Sequence, residues 1–231
     1  GWLGRRVQFC AVRREKATPK VAAMCSTTPA GVNHPLSAGV TTVLAVDGDY
    51  VQADQLAIPK TKFWAHDLST PLDLKKSFDL VQTLEVAEHL PADKADLFVD
   101  NLVRHGDVIL FSAAVPHQGG EHHVNEQPPE YWRKKFAARG YAPFDFVRPK
   151  LRGQTEVMPW YRFNSYVYAN EEGQKRLSKA ILATRIPDGQ PLEIGGDLAW
   201  AARRAAVRLI PTGLVKPIAM AKASIEASLR K

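Results

Sequence analysis

The chain is short of cysteine, of long apolar runs and of glycine-rich phosphate-binding fingerprints, and each shortage excludes something. It has 231 residues, of which only Cys10 and Cys25 are cysteines. Two cysteines make neither a disulfide framework nor a CxxC metal knuckle. Their spacing with His34 matches no metal-ligand pattern, and a reducing cytoplasm is the compartment this usage points to. No apolar run approaches the ~20 residues that a bilayer-spanning helix needs. The opening stretch GWLGRRVQFCAVRREK has neither the apolar core nor the small-residue cleavage site of a signal peptide. It also begins without methionine, which fits a trimmed or incomplete chain. No GxGxxG follows a predicted strand, which argues against a nicotinamide-dependent dehydrogenase. There is no internal repeat and no low-complexity tract.

What remains is ordinary globular material. The apolar fraction is 45%, and the length suits one α/β domain with additions. The net charge of +7 is unevenly placed. Residues 1–20 carry six basic and one acidic residue, and residues 173–231 carry eleven basic and four acidic. The middle, 21–172, carries fourteen basic and nineteen acidic. A nucleic-acid enzyme concentrates basic charge around its site, so no nucleic acid is expected here. The basic flanks read as solvated faces, with an anionic membrane surface or a partner as the alternatives.

Apolar runs follow one another at α/β spacing. TTVLAVDGDYV (41–51), KFWAHDL (62–68), FDLVQTLEV (78–86) and DVILFSAAVP (107–116) are predicted strands. PADKADLFVDNLVRHG is a predicted helix, with Ala95, Leu97, Phe98, Leu102 and Val103 as its apolar stripe and Gly106 as its stop. Near-continuous rather than alternating apolar runs fit strands covered on both faces. PEYWRKKFAARG reads as a further helix ending at Gly140. YAPFDFVRP and WYRFNSYVYAN read as two more strands, the aromatics of the second packing in a core. NEEGQ (170–174) reads as a polar joint. Beyond it LAWAARRAAVRLI and VKPIAMAKASIEASLR are helical in character. The fold class is therefore α/β, an open, mostly parallel, doubly wound sheet with a helical C-terminal extension. The expected division is a body over 1–172, including a divergent segment over 1–39, and a basic tail over 173–231.

In such sheets ligands bind outside the carboxyl ends of the strands. Asp47, Asp67 and Glu85 each close one apolar run in turn. A carboxylate has two acceptor oxygens suited to the two hydroxyls of a ribose. Each acid could instead cap a turn or helix, but three in order favour an adenosine-type ligand. Beyond the strand DVILFSAAVP, GGEHHVNEQ places His122 and His123 over the site where a substrate would sit. An imidazole of near-neutral pKa can take a proton from an attacking hydroxyl. Adjacent side chains of an extended chain point oppositely, so this pair is not expected to hold a metal.

The succession VLAVDGDYV, FWAHDLSTPLDL, FDLVQTLEVAEHLP, DVILFSAAVPHQGGEHHVNEQPPEYW resembles the class I methyltransferases that use S-adenosylmethionine. It looks closest to a bacterial branch with VDGDYV, EVAEHLP and GG-x-HHVNEQ motifs. The resemblance covers about residues 40–169 and implies a Rossmann-like fold. It implies that Asp47, with Gly48, holds the ribose and that Asp67, with Leu68, holds the adenine. Glu85 and Val86 would line the methionine end, and Glu88 and His89 would face the cleft. Asn125, Glu126, Tyr131 and Trp132 would shape the acceptor pocket, with His122, His123 or His89 as the base. The family's glycine-rich loop has no counterpart. Counted back from Asp47 it falls on AAMCSTTPAG, with Cys25, Thr27 and Pro29 where glycines belong. Side chains there crowd the ligand, and Pro29 removes an amide donor. An unusual loop, a relative that has lost binding, and a divergent or wrongly framed N-terminal stretch all remain open. The expected activity is methyl transfer to oxygen or nitrogen of a small molecule, sugar or glycolipid. The alternative is a catalytically inactive binding or scaffold domain. A tail lying on an anionic membrane is less expected than a tail packed on the body, because Pro211 and Pro217 break it.

Overall fold

A computed structural model describes residues 9–13, 42–51 and 59–210. It is a mixed α/β structure around one seven-stranded sheet in the order β3-β2-β1-β4-β5-β7-β6. The strands are β1 (Phe9–Arg13), β2 (Thr42–Asp47), β3 (Phe63–Ala65), β4 (Leu80–Leu84), β5 (Val108–Ser112), β6 (Ala142–Phe144) and β7 (Tyr166–Ala169). Strands β2 to β6 all run the same way, and only β1 and β7 are reversed. The expected mostly parallel sheet is thus present in strand direction. Leaving β7 aside, the order is that of open doubly wound sheets, with its reversal beside β1.

The first strand departs from expectation. Residues 1–39 read as a divergent segment with no strand assigned, and most of them lie outside the described residues. Instead FCAVR occupies the centre of the sheet, antiparallel to both neighbours, pairing Phe9 with Val46 and Cys10 with Gln82. An extended segment of either direction satisfies the backbone donors and acceptors that β2 and β4 present to each other.

Both faces of the sheet are covered, as the continuous apolar runs imply. Every residue of β4, β5 and β7 is buried. Val81, Ile109 and Phe111 point toward α1 (Ala95–Val103) and α2 (Pro129–Ala137), packing with Phe98, Leu102, Trp132 and Phe136. Leu80, Leu84, Val108 and Leu110 point the other way, toward Phe144 and Ile181. The period of two along each strand makes this division.

Two expected strands changed in part. α4 (Pro159–Asn164) takes the first half of WYRFNSYVY, and the strand begins only at Tyr166. Pro159 sits in the first helical turn, where its missing N–H costs nothing. VRP in the stretch YAPFDFVRP begins α3 (Val147–Leu151) rather than continuing β6. The joint at 170–174 is a tight turn, α5 (Glu171–Gln174), whose Asn170 side chain accepts from the Gly173 amide. Gly173 is required there, because any Cβ would strike the Asp107 carbonyl.

Residues 173–210 pack on the body. Ile181, in α6 (Lys179–Leu182), and Leu192 join its two core clusters. α7 (Leu198–Arg208) is capped by Asp197, which accepts from the Trp200 amide at 2.8 Å, and Trp200 packs with Phe163 and Val115. The segment VKPIAMAKASIEASLR lies outside the described residues. Among those described, no helix is long and apolar enough to cross a membrane.

Two buried polar residues at the end of α1 secure the chain between β3 and β4. Asn101 accepts from the Leu72 amide at 2.9 Å and donates to the Thr70 carbonyl at 2.8 Å. His105 accepts from the Leu74 amide through Nε2 at 2.9 Å, so its Nδ1 donates to the Asn101 carbonyl. Burial pushes the His105 pKa down, against the opposing pull of that carbonyl. Below about pH 6.5 the unfolded chain therefore binds a proton that the folded chain resists, and stability falls as pH falls. Denaturant unfolding at pH 8 and pH 5 should show a smaller stability loss for His105→Gln than for the native chain. Equal losses would contradict this role.

Candidate functional site

The site is built at the carboxyl ends of β2, β3 and β4, where the three acids come to one edge of the sheet. Asp47 is the last residue of β2 and is 2% exposed. Its Oδ1 accepts from the Gly48 amide at 2.8 Å and from the Tyr50 hydroxyl at 2.6 Å. The His66 amide donates to the Asp47 carbonyl, so the ends of β2 and β3 are joined. Asp67 is exposed, and its Oδ1 accepts from the amide and hydroxyl of Ser69. Those two bonds hold its carboxyl below the usual range. Each acid thus organises its own turn, and Asp67 also offers its carboxylate to solvent. Gly48 is half-buried, while Leu68 and Val86 are core residues that brace these turns.

Glu85 follows β4 and lies in the left-handed region, with φ at 57°. For a residue with a Cβ such a conformation costs about 1–2 kcal/mol. It turns the chain out of the strand into one short helical turn, Ala87–His89. That turn points the side chain of Glu88 inward, where it is fully buried. Glu85 accepts from the Gln118 amide nitrogen at 2.6 Å, and Gln118 accepts from Asn164 at 2.8 Å. Burial raises the Glu85 pKa despite these bonds. Burial, together with the neighbouring Glu85 carboxylate, raises that of Glu88 further. Both Glu88 carboxyl oxygens are sealed from solvent, with the Glu85 carboxyl beside them.

The loop after β5 folds back over this turn. The amides of Val124 and Asn125 both donate to the Glu88 carbonyl, at 2.9 and 3.0 Å. His117, Gly119 and His122 all adopt positive φ, which lets the loop double back within a few residues. Glu126 is its latch. One oxygen accepts from the His117 amide at 2.8 Å; the other accepts from the Gly119 amide at 2.9 Å and from His123 Nδ1 at 2.8 Å. Burial pushes the Glu126 pKa up, but these donors more than offset it and the carboxyl lies below its usual range. Gly120 leaves room for the His123 ring, which a Cβ would strike.

His123 and His89 meet edge to face, with ring centroids 4.9 Å apart. Burial, then the neighbouring imidazole, lowers the His89 pKa to about 4. The direction favours the neutral imidazole, although His89 keeps an edge open to solvent. The His122 carbonyl accepts from His89 Nδ1 at 3.3 Å. α7 closes the far side of the loop. Arg204 donates to the Pro116 carbonyl at 3.1 Å, and a Cβ at Gly119 would meet Val207.

The residues expected to shape an acceptor pocket differ in placement. Trp132 is 1% exposed and packs on Phe111 at 5.3 Å between ring centroids, so it is a core residue. Tyr131 is half-buried under Lys135, at the edge of the same core. Asn125 is buried and accepts from Gln127. Glu126 spends its carboxylate on its own loop. Gln118 and Asn164 were not singled out by sequence, because a neutral amide carries no signal until a buried acid needs it. The glycine-loop positions Cys25, Thr27 and Pro29 lie outside the described residues. Compared with family models, curated proteins and solved structures, the chain matches none.

Proposed function

We propose that this chain is a Rossmann-like, S-adenosylmethionine-dependent methyltransferase acting on an oxygen or nitrogen of a small molecule, sugar or glycolipid. The observation that carries the reading is the placement of Asp47, Asp67 and Glu85. They stand at the carboxyl ends of three strands that run the same way, where the strand order reverses. Open α/β sheets bind their ligands at that place. In this reading Asp47 takes the ribose hydroxyls in exchange for the Tyr50 hydroxyl, and Asp67 takes the adenine amino group. Glu85, held by Gln118, lies toward the methionine end. The ligand brings the reactive methyl group, and the protein aligns an acceptor for in-line displacement. The acid excess of residues 21–172 favours a small or neutral acceptor over nucleic acid. A cytoplasmic setting belongs with the same reading.

One observation favours a second reading, a binding domain without activity. Because β1 is reversed, its amino end, not its carboxyl end, lies beside Asp47 and Glu85. The turn that leaves β1 at the ligand edge of a doubly wound sheet is then missing from that edge.

Calorimetric titration with S-adenosylhomocysteine separates the two. Methyl transfer predicts micromolar binding, weakened about 10- to 100-fold in Asp47→Asn through the loss of charge-assisted hydrogen bonds. A folded protein that binds nothing at millimolar ligand would leave the inactive reading standing.

A further inference from the structure

Glu88, His89 and His123 are brought together by the fold in a way that neither segment shows alone. Glu88 and His89 sit on the turn after β4, and His123 arrives from the loop after β5. One donor atom from each lies within 4.8 Å of the others. The Glu88 carboxylate is fully buried, and His123 Nε2 faces it at 3.9 Å.

The two imidazoles are oriented for ligation by what holds their other nitrogens. The His122 carbonyl can only accept, so His89 Nδ1 carries the proton and Nε2 keeps its lone pair. Glu126 plays the same part for His123 at 2.8 Å. A carboxylate or backbone carbonyl behind each histidine is the usual support of metal-binding imidazoles. A second buried acid, Glu85, adds negative charge behind Glu88. Two carboxyls this close in an apolar interior share something positive, either a proton or a bound cation. No lysine or arginine forms an ion pair with either acid among the described residues.

We propose that Glu88, His89 and His123 form a mononuclear site for a divalent first-row transition ion, with Glu126 and the His122 carbonyl orienting the two imidazoles. Imidazole pairs with one carboxylate suit Zn²⁺, Fe²⁺ or Mn²⁺ rather than Mg²⁺ or Ca²⁺, which favour oxygen-only shells. Bond lengths of about 2.0–2.2 Å require the three donors to close to about 3–3.5 Å from one another, a change that side-chain rotation supplies. Three protein ligands leave positions open for water or for an acceptor oxygen. The acceptor role rests on the methyl-transfer reading; the metal site does not.

The test is calorimetric titration of the tag-free full chain, freed of metal by chelator, with Zn²⁺, Mn²⁺ and Mg²⁺ separately. One equivalent of Zn²⁺ should bind with a Kd of about 1 µM or below, Mn²⁺ more weakly and Mg²⁺ weakest. His89→Ala, His123→Ala and the isosteric Glu88→Gln should each weaken Zn²⁺ binding at least about tenfold, and Glu126→Gln about 10- to 100-fold. His117→Asn changes an exposed imidazole of the same loop and should bind as the native chain does. Circular dichroism confirms that each variant is folded. A folded native chain without a stoichiometric site, or histidine variants with native affinity, would overturn the proposal. Titration with S-adenosylhomocysteine in chelator keeps the two readings apart: loss of that binding with Zn²⁺ binding intact sinks methyl transfer alone.

Discussion

Phe136→Ala is expected to lower the unfolding free energy by about 3–5 kcal/mol, the largest loss of any substitution considered for this protein. Phe136 is fully buried at the centre of an aromatic cluster. It stacks on Tyr168 with centroids 4.0 Å apart and rings 18° from parallel, and meets Phe111 edge-on at 5.2 Å. The three rings come from α2, β5 and β7, so the cluster joins a helix to the two antiparallel strands beside it. Truncation removes the transfer free energy of a benzyl group and leaves a cavity that large, locked neighbours cannot fill. The thermal midpoint should fall on the order of 10 °C. Lys134→Ala, at an exposed position of the same helix, should change stability by no more than about 0.5 kcal/mol. A loss below about 1.5 kcal/mol for Phe136→Ala would mean that the cluster is not packed as described.

Glu126→Ala is expected to open the loop over the candidate site without unfolding the body. One carboxylate holds the amides of His117 and Gly119 and the ring of His123. Hydrogen bonds to a charged group contribute about 1.5–3 kcal/mol each, and donors left unsatisfied add a penalty. The three bonds are not independent, so a loss of about 3 kcal/mol in the local closing free energy is the reasonable total. Amide hydrogen exchange read by NMR should then quicken roughly a hundredfold at His117 and Gly119, while the amides of β4 and β5 keep their protection. Glu126→Gln keeps an acceptor oxygen and should show a smaller effect. Unchanged exchange at both amides in Glu126→Ala would show that the backbone bonds from Val124 and Asn125 to Glu88 hold the loop alone.

Much of the body was legible because burial leaves a periodic mark. The apolar runs at 41–51, 78–86 and 107–116 each contain a strand, and the stripe from Ala95 to Val103 is a helix facing the core. The acids at strand ends were legible for the same reason: once a strand is recognised, the residue after it lies at an edge. Where local pattern and local chemistry compete, the pattern misled. The alternating aromatics of WYRFNSYVY suggested one strand, but Pro159 starts a helical turn and Ser165 bonds back to the Tyr161 carbonyl. The direction of β1 could not be read at all, because strand pairing satisfies the same donors and acceptors in either sense.

The candidate site divides along the same line. The sequence by itself determined the kind of fold, the order of the acids and the presence of imidazoles near them. The expectation that His122 and His123 point oppositely rested on an extended chain, whereas His122 sits in the left-handed region of a turn. Only the tertiary structure decided that His123 meets Glu88 and His89, that Glu126 serves its loop, and that Trp132 belongs to the core. Those outcomes depend on contacts across some thirty residues of chain. They are set by which side chain the left-handed turn at Glu85 and the folded loop at 117–126 direct inward, and no local spacing encodes that choice.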